Sequence, residues 1–302
     1  MARIRFCAYE YAHRPIPELI TRWKRAEALG FDVLWNCDAM NEPDTPGRTM
    51  FEATSILTAM ALHTSTIRVG TLVNTLIYRN PAVVAKAAMT IDHLSGGRLE
   101  LGYGGGVLHS DHDASGVEWW EARERIARFR EAVTIVDGML SKDAFDYEGE
   151  YYSVMNADMV PRPVQDPRPP LTIPAHGPGM MRIAAEFANG WSSWGGAHIE
   201  TEQQMFEATR DRSARFDEAC SSIGRDPKTV WHSLVVYPPL QPWDSVESFI
   251  DMVGRYGEIG IDEFVLYFPQ NWREAPGEEE VFEQVAHEVM PRLREESSGA
   301  GP

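Results

Sequence analysis

Short β-rich runs alternate with helix-spaced stretches along nearly the whole chain, and this alternation limits the fold more than any other feature. The strand-like runs are residues 3–7, 33–35, 67–73, 98–103, 171–174, 190–193, 230–237 and 263–267. Stretches with helical spacing follow at 17–29, 51–63, 81–94, 119–140, 180–187, 201–223, 245–259 and 278–294. Eight pairs of this kind predict an α/β fold, a (β/α)8 TIM barrel with extended loops at its C-terminal face. A doubly wound open sheet is the competing topology, and counting strands does not separate the two. The length of 302 residues suits one α/β barrel as well as two ordinary domains. We read a single barrel domain over residues 1–294 and a disordered tail at 295–302 (EESSGAGP).

Helix punctuation supports these divisions. Pro17 and Pro81 stand where first-turn prolines belong, Gly30 closes the first helix, and Ser95-Gly96-Gly97 closes the third. Two long loops, 37–49 and 104–118, each follow a strand, and a third covers 142–170 with a hairpin expected at 147–152 (YEGEYY). Long ordered loops usually carry function, and loops after barrel strands lie on the ligand-binding face. Composition narrows the class. Twenty-eight basic against 45 acidic residues leave a net charge of −17, which repels phosphate backbones and argues against nucleic acid as a partner. No uncharged apolar run reaches the ~18 residues of a membrane span, and the charged start has no secretory h-region. Cys7, Cys37 and Cys220 lie far apart, so a cytoplasmic enzyme is expected rather than a disulfide scaffold or zinc ribbon.

Several segments carry chemistry. Gly102-Tyr103-Gly104-Gly105-Gly106 follows a strand but has Val107 where a dinucleotide fingerprint needs its last glycine; it is either a flexible loop or backbone that a flat ligand approaches. His176-Gly177-Pro178-Gly179 joins a strand to the helix beginning near Met180, a natural phosphate position or a plain tight turn. His109-Ser110-Asp111-His112-Asp113 looks like a metal cluster on a loop, yet no HxH follows the first strand, and a solvated polar loop is the better reading. Asp38 and Asn74, just past the second and third strands, point into the barrel mouth as candidate catalytic groups, unless Asp38 only caps a turn. Trp194, Tyr237 and Tyr267 end later strands, either as an apolar wall or as simple packing.

Taken together the segments resemble the luciferase-like flavin and deazaflavin oxidoreductases, from Arg3 to about Pro269. The carriers are ALGFDVLW (28–35), IRVGT (67–71), RNP (79–81), IDHLSGGRLELGYG (91–104), AAEFANGW (184–191) and GRDP (224–227). The resemblance implies a flavin-type ring across the barrel mouth, resting on a non-proline cis peptide within Leu72-Val73-Asn74. It implies a phosphate near Gly104, Gly105 and Gly106 and on the helix start formed by His176, Gly177, Pro178, Gly179 and Met180, with Trp194 beside the coenzyme. His176 then joins Asp38 and Asn74 as a catalytic candidate. The family commonly has histidine after the second-strand acidic residue; here Ala39 follows Asp38. Gly105 replaces an arginine that users of flavin mononucleotide (FMN) often carry, which favours the deazaflavin coenzyme F420 over FMN. The implied activity is hydride transfer between coenzyme and a small organic substrate, with oxygen insertion as the FMN variant. A homodimer and a flavin or F420 reductase are the implied partners. Two rivals stand beside this reading: a barrel that stores or senses the coenzyme without catalysis, motivated by Ala39, and a metal-dependent hydrolase barrel, motivated by residues 109–113.

Overall fold

The computed structural model describes residues 4–41, 47–196, 198–269 and 277–299. In chain order the elements are β1 (Arg5–Tyr9), α1 (Ile16–Ala28), β2 (Val33–Asn36), α2 (Ala53–His63), β3 (Arg68–Thr75), α3 (Pro81–Ser95), β4 (Leu99–Gly104), α4 (His109–Ser115) and α5 (Ala122–Ser141). A hairpin follows, β5 (Ala144–Glu148) and β6 (Ser153–Asp158), then β7 (Leu171–Pro174), α6 (Pro178–Phe187), β8 (Gly190–Ser193) and α7 (Glu202–Ser222). The chain ends with β9 (Trp231–Val236), α8 (Val246–Gly257), β10 (Glu263–Tyr267), α9 (Glu278–Gln284) and α10 (Met290–Ser297). Eight strands close a barrel in the order β1-β10-β9-β8-β7-β4-β3-β2, which decides for the barrel over the open sheet. Two compact units partition the chain, Met1–Glu10, Arg25–Leu34 and Ala175–Pro302 in one, Tyr11–Lys24 and Trp35–Pro174 in the other.

In the first unit β1 and β10 pair in parallel with Arg5 opposite Glu263, and their side chains form an ion pair at 3.2 Å. Phe6, Phe249 and Phe264 pack beneath, with ring centroids 5.8 and 6.1 Å from Phe6. In the second unit the Trp35 ring lies on Gly70, where a Cβ would come within 2.2 Å of it. Thr71 donates its hydroxyl to Asn36 Oδ1 (2.6 Å) and Asn36 Nδ2 donates to Ala53 O (3.0 Å), tying β2, β3 and the start of α2 through buried polar groups.

Some boundaries differ from expectation for identifiable reasons. The stretch 278–294 is divided by a π-helical turn, Val285–Val289, between α9 and α10. Pro291 in the first turn of α10 lacks an N–H and would crowd a regular preceding turn, which the wider turn relieves. Helix α10 then runs to Ser297, three residues into the expected tail; residues 300–302 lie outside the described residues. Residues 149–152 are the turn of the β5–β6 hairpin rather than its strands, because Glu131 of α5 accepts the N–H groups of Glu150, Tyr151 and Tyr152 at 2.8–3.0 Å. The polar run at 109–113 folds as α4 rather than as a loop.

At the N-terminal ends of β9 and β10, Asp262 Oδ1 accepts the His232 N–H at 2.8 Å. Burial pushes the Asp262 carboxyl up to about 7, and burial holds the His232 imidazole down at about 4. Ser213 Oγ lies 3.3 Å from His232 Nδ1 but donates to Ile259 O at 2.9 Å, so this buried Ser–His pair is built for packing and has no hydroxyl proton to transfer. The two shifts act on stability with opposite signs. The raised Asp262 removes stability as pH climbs from about 4 to 7, and the lowered His232 removes it as pH falls from about 6.5 to 4. Asp262→Asn keeps the accepting oxygen, so thermal melts should show the variant stabilised by about 2–3 kcal/mol at pH 8, with the difference vanishing near pH 4. An equal difference at both pH values would contradict this assignment.

Candidate active site at the strand C-termini

Beyond β2, the Asp38 carboxylate is held on every side in the second unit. Arg79 grips it with both ends of its fork, NH1 to Oδ2 at 2.6 Å and NH2 to Oδ1 at 3.1 Å, and the Thr75 N–H donates to Oδ2 at 2.9 Å. The same guanidinium donates to Glu52, which caps α2 by accepting the N–H groups of Thr54 (3.0 Å) and Ser55 (2.7 Å). Burial alone would raise the Glu52 carboxyl; the Ser55 hydroxyl and N–H, Arg79 and the Thr54 N–H outweigh it and bring it to about 2. Burial opposes the charge on Arg79, but Asp38 and Glu52 raise its pKa all the same. Arg79 is placed there by local sequence, since Asn80 caps α3 through Ala82 N and Pro81 opens that helix. With both oxygens taking hydrogen bonds, Asp38 anchors the loop after β2.

The loop after β4 docks beside it. Tyr78 accepts the Met40 N–H at 3.0 Å and donates to Asp111 of α4. Burial, then the bond to Asp111, raises the Tyr78 phenol, and burial raises the Asp111 carboxyl. His109 stacks on Trp119 at 3.5 Å, and His112 Nδ1 meets the Glu118 carbonyl at 2.9 Å. His109, Asp111 and His112 thus each have another contact, and among the described residues no group of three His, Cys, Asp or Glu is arranged to hold a metal.

The glycines at the end of β4 and just beyond it lie against close neighbours. The Leu72-Val73 peptide is cis and non-proline. Val73 fills the space beside Gly102 and Gly104, where an added Cβ would lie 3.0 Å from Val73 Cγ1 and 2.6 Å from Cγ2 respectively; at Gly102 it would also lie 2.1 Å from Thr71 O. At Gly106, with φ +70°, a Cβ would meet Ile77 at 2.4 Å. Only Gly105 has room, its nearest neighbour being the Arg125 stem at 3.6 Å. Asn74 donates Nδ2 to Gly102 O at 3.0 Å across the break in β3–β4 register.

In the first unit the ends of β8, β9, β10 and β1 present a row of rings. His176 lies 6.0 Å from Trp194, Trp194 lies 6.2 Å from Tyr237, Tyr237 lies 6.2 Å from Tyr267, and Tyr267 lies 4.7 Å from Tyr9. Tyr9 was missed in the sequence because it ends the first strand without a distinctive motif. The Trp194 N–H donates to His176 Nε2 at 3.3 Å, which leaves the ring proton on Nδ1. Burial first, and then Arg212 and Arg215, hold His176 down at about 4. Gly177 caps α6 with no side-chain bond and a Cβ there would meet nothing within 4 Å, so the N–H groups at the start of α6 are open to a ligand. Arg212 is half-buried, donates to the carbonyls of Trp194 (2.6 Å) and Gly195 (3.0 Å), and has its pKa lowered by burial and by Arg215. Two cations beside an uncapped helix start suit an anionic group. The position of Arg212 inside α7, far along the chain from His176, kept it out of the sequence reading.

The glycine geometry separates two substitutions. Gly102→Ala forces a methyl onto a backbone carbonyl and should cost at least ~1–3 kcal/mol in a denaturant melt. Gly105→Ala enters ordinary contact distance and should change stability by under ~0.5 kcal/mol. Equal effects would refute this packing assignment.

Comparison with known proteins agrees with the architecture. Residues 2–238 match the model of the luciferase-like monooxygenase family. A protein of Amycolatopsis mediterranei named F420-dependent glucose-6-phosphate dehydrogenase is 29% identical over 284 residues, 89% of this chain and 84% of that protein. Among solved structures, an F420-dependent secondary alcohol dehydrogenase in complex with an F420-acetone adduct superposes with a TM-score of 0.78 at 19% identity, covering 94% of this chain and 98% of that one. The oxygenating constituent of 3,6-diketocamphane monooxygenase of Pseudomonas putida, in complex with FMN, gives 0.73 at 13% identity, covering 96% and 99%. With a family match over most of its length, carried on a closed eight-stranded barrel, the chain belongs to the luciferase-like monooxygenase family.

Proposed function

We propose that this protein is an oxidoreductase that takes coenzyme F420 in preference to FMN and acts on a small organic substrate. The observation that carries the reading is the uncapped start of α6 beside Arg212 and Arg215, a cradle of backbone N–H groups and cationic charge that fits an anionic coenzyme tail. Gly105 adds no cation to the loop after β4, and the nearby Arg125 guanidinium is stacked over Trp119 at 5.0 Å. That favours F420 over FMN, as do the F420-dependent names of the curated relatives.

When bound, F420 supplies hydride transfer to or from a substrate carbon. The chain's own residues bind and position. Gly179, Met180 and the His176 Nδ1–H offer donors to the anionic tail, and Trp194, Tyr237, Tyr267 and Tyr9 present an apolar wall. Arg79 and Asp38 hold the loops after β2 and β3 in register. With Ala39 after Asp38, a proton donor for the reaction comes from elsewhere in the chain or from the substrate. A homodimer, a cytoplasmic setting and a reductase that recycles the coenzyme belong to the same reading. Cys7, Cys37 and Cys220 form no disulfide, and no helix among the described residues is long and apolar enough to cross a membrane.

Titration with F420 and with FMN, followed by fluorescence, tests the proposal. F420 should bind at least tenfold more tightly than FMN. Arg212→Gln should weaken F420 by roughly tenfold, the loss of one charge-assisted hydrogen bond. Tighter binding of FMN, or an unchanged affinity in Arg212→Gln, would overturn it, and F420 binding without turnover across a broad substrate panel would favour a coenzyme store instead.

A further inference from the structure

The loop after β1 carries a histidine that the coenzyme reading leaves without a task. His13 is 9% exposed, and its Nε2 lies 2.7 Å from the Arg48 guanidinium in the loop after β2. A guanidinium only donates, so His13 Nε2 accepts and the ring proton resides on Nδ1. That Nδ1–H is buried and has no hydrogen-bond partner among the described residues. Burial, reinforced by Arg48, Arg14 and Arg22 against Glu18, keeps the ring neutral, with its pKa lowered to about 4. The two loops are also joined by main chain, Phe51 N–H to Ala12 O at 3.0 Å.

Arg48 differs from its neighbours in what it lacks. Arg14 pairs with Glu18 at 2.7 Å and Arg79 with Asp38 at 2.6 Å, while Arg48 meets no carboxylate among the described residues. One of its five donors is given to His13, and the residue is half-buried in the loop after β2, at the end of a barrel where ligands bind. A fixed guanidinium with unused donors, in a chain of net charge −17, is suited to a carboxylate or phosphate oxygen.

We propose that Arg48 is the substrate-recognising residue of this enzyme, selecting a substrate with a carboxylate or phosphate group, and that His13 is a positioning residue that fixes the guanidinium by accepting its hydrogen bond. The inference rests on the oxidoreductase reading for the word substrate, but anion binding at Arg48 stands apart from coenzyme binding at Arg212.

Isothermal titration of the folded, F420-saturated protein with acetate and with inorganic phosphate, at constant ionic strength, tests it. Saturation occupies the α6 cradle; if F420 fails to bind, the same titrations in the Arg212→Gln background serve instead. One of the two anions should bind the wild type, and which of them binds tells carboxylate from phosphate. Arg48→Gln should lose at least tenfold in affinity and Arg48→Lys less. His13→Gln, whose side-chain carbonyl still accepts, should stay within about twofold of wild type, whereas His13→Leu should lose several-fold. Circular dichroism checks that each variant folds, and Arg48→Lys serves where Arg48→Gln does not. Binding by Arg48→Gln equal to wild type, or no binding of either anion by the wild type, overturns the proposal. Equal losses in His13→Gln and His13→Leu overturn the role of His13.

Discussion

The Arg79 guanidinium is the contact on which the loops at the C-terminal ends of the second unit's strands depend. It joins Asp38, at the end of β2, to Glu52, at the start of α2, and itself sits one residue before the cap of α3. Three loops that follow strands or open helices are thereby held by one charge. Removing one partner of such a buried pair leaves a charge with no compensation, which costs far more than the pair contributes. The bond from Thr75 N–H to Asp38 adds the end of β3 to the same point. Loops after barrel strands usually vary freely; here electrostatics tie this group together.

Close packing does the corresponding work around the cis peptide. Val73 occupies the space that side chains at Gly102 and Gly104 would need, and Ile77 does the same at Gly106. The glycines therefore mark the close approach of β3 to β4. The features proposed for the coenzyme's anionic tail lie in the first unit at α6, where the helix start has no side-chain cap and Arg212 donates to two carbonyls. Both arrangements agree with a family whose coenzymes combine a flat ring with a charged tail.

Much of the fold was legible in the residues. Three of the eight barrel strands, β7, β8 and β10, have the boundaries expected from the apolar pattern, and the others shift by only a few residues. Alternation survives because each strand and helix needs its own apolar face whatever its neighbours do. Exceptions arose where a distant group overruled local pattern: Glu131 turned YEGEYY into the tip of a hairpin, and Tyr78 and Asp111 drew a polar run into a short helix. The site was less legible. Trp194, Tyr237 and Tyr267 were expected at strand ends and are found as one row of rings. Arg212, Arg48 and His13 were not singled out, and Arg79 entered only as part of the RNP motif, since their significance lies in partners well separated along the chain.

By itself the sequence determined the strand–helix alternation and the family resemblance, because periodicity and short motifs are properties of neighbouring residues; closure of the barrel was decided by the tertiary structure. Tertiary structure alone decided that Asp38 is an anchor, that Gly102 and Gly104 make room for Val73, and that His13 is a neutral acceptor for Arg48. Charge pairing, steric exclusion and tautomer choice depend on which atoms meet in space, and no spacing along the chain encodes those meetings.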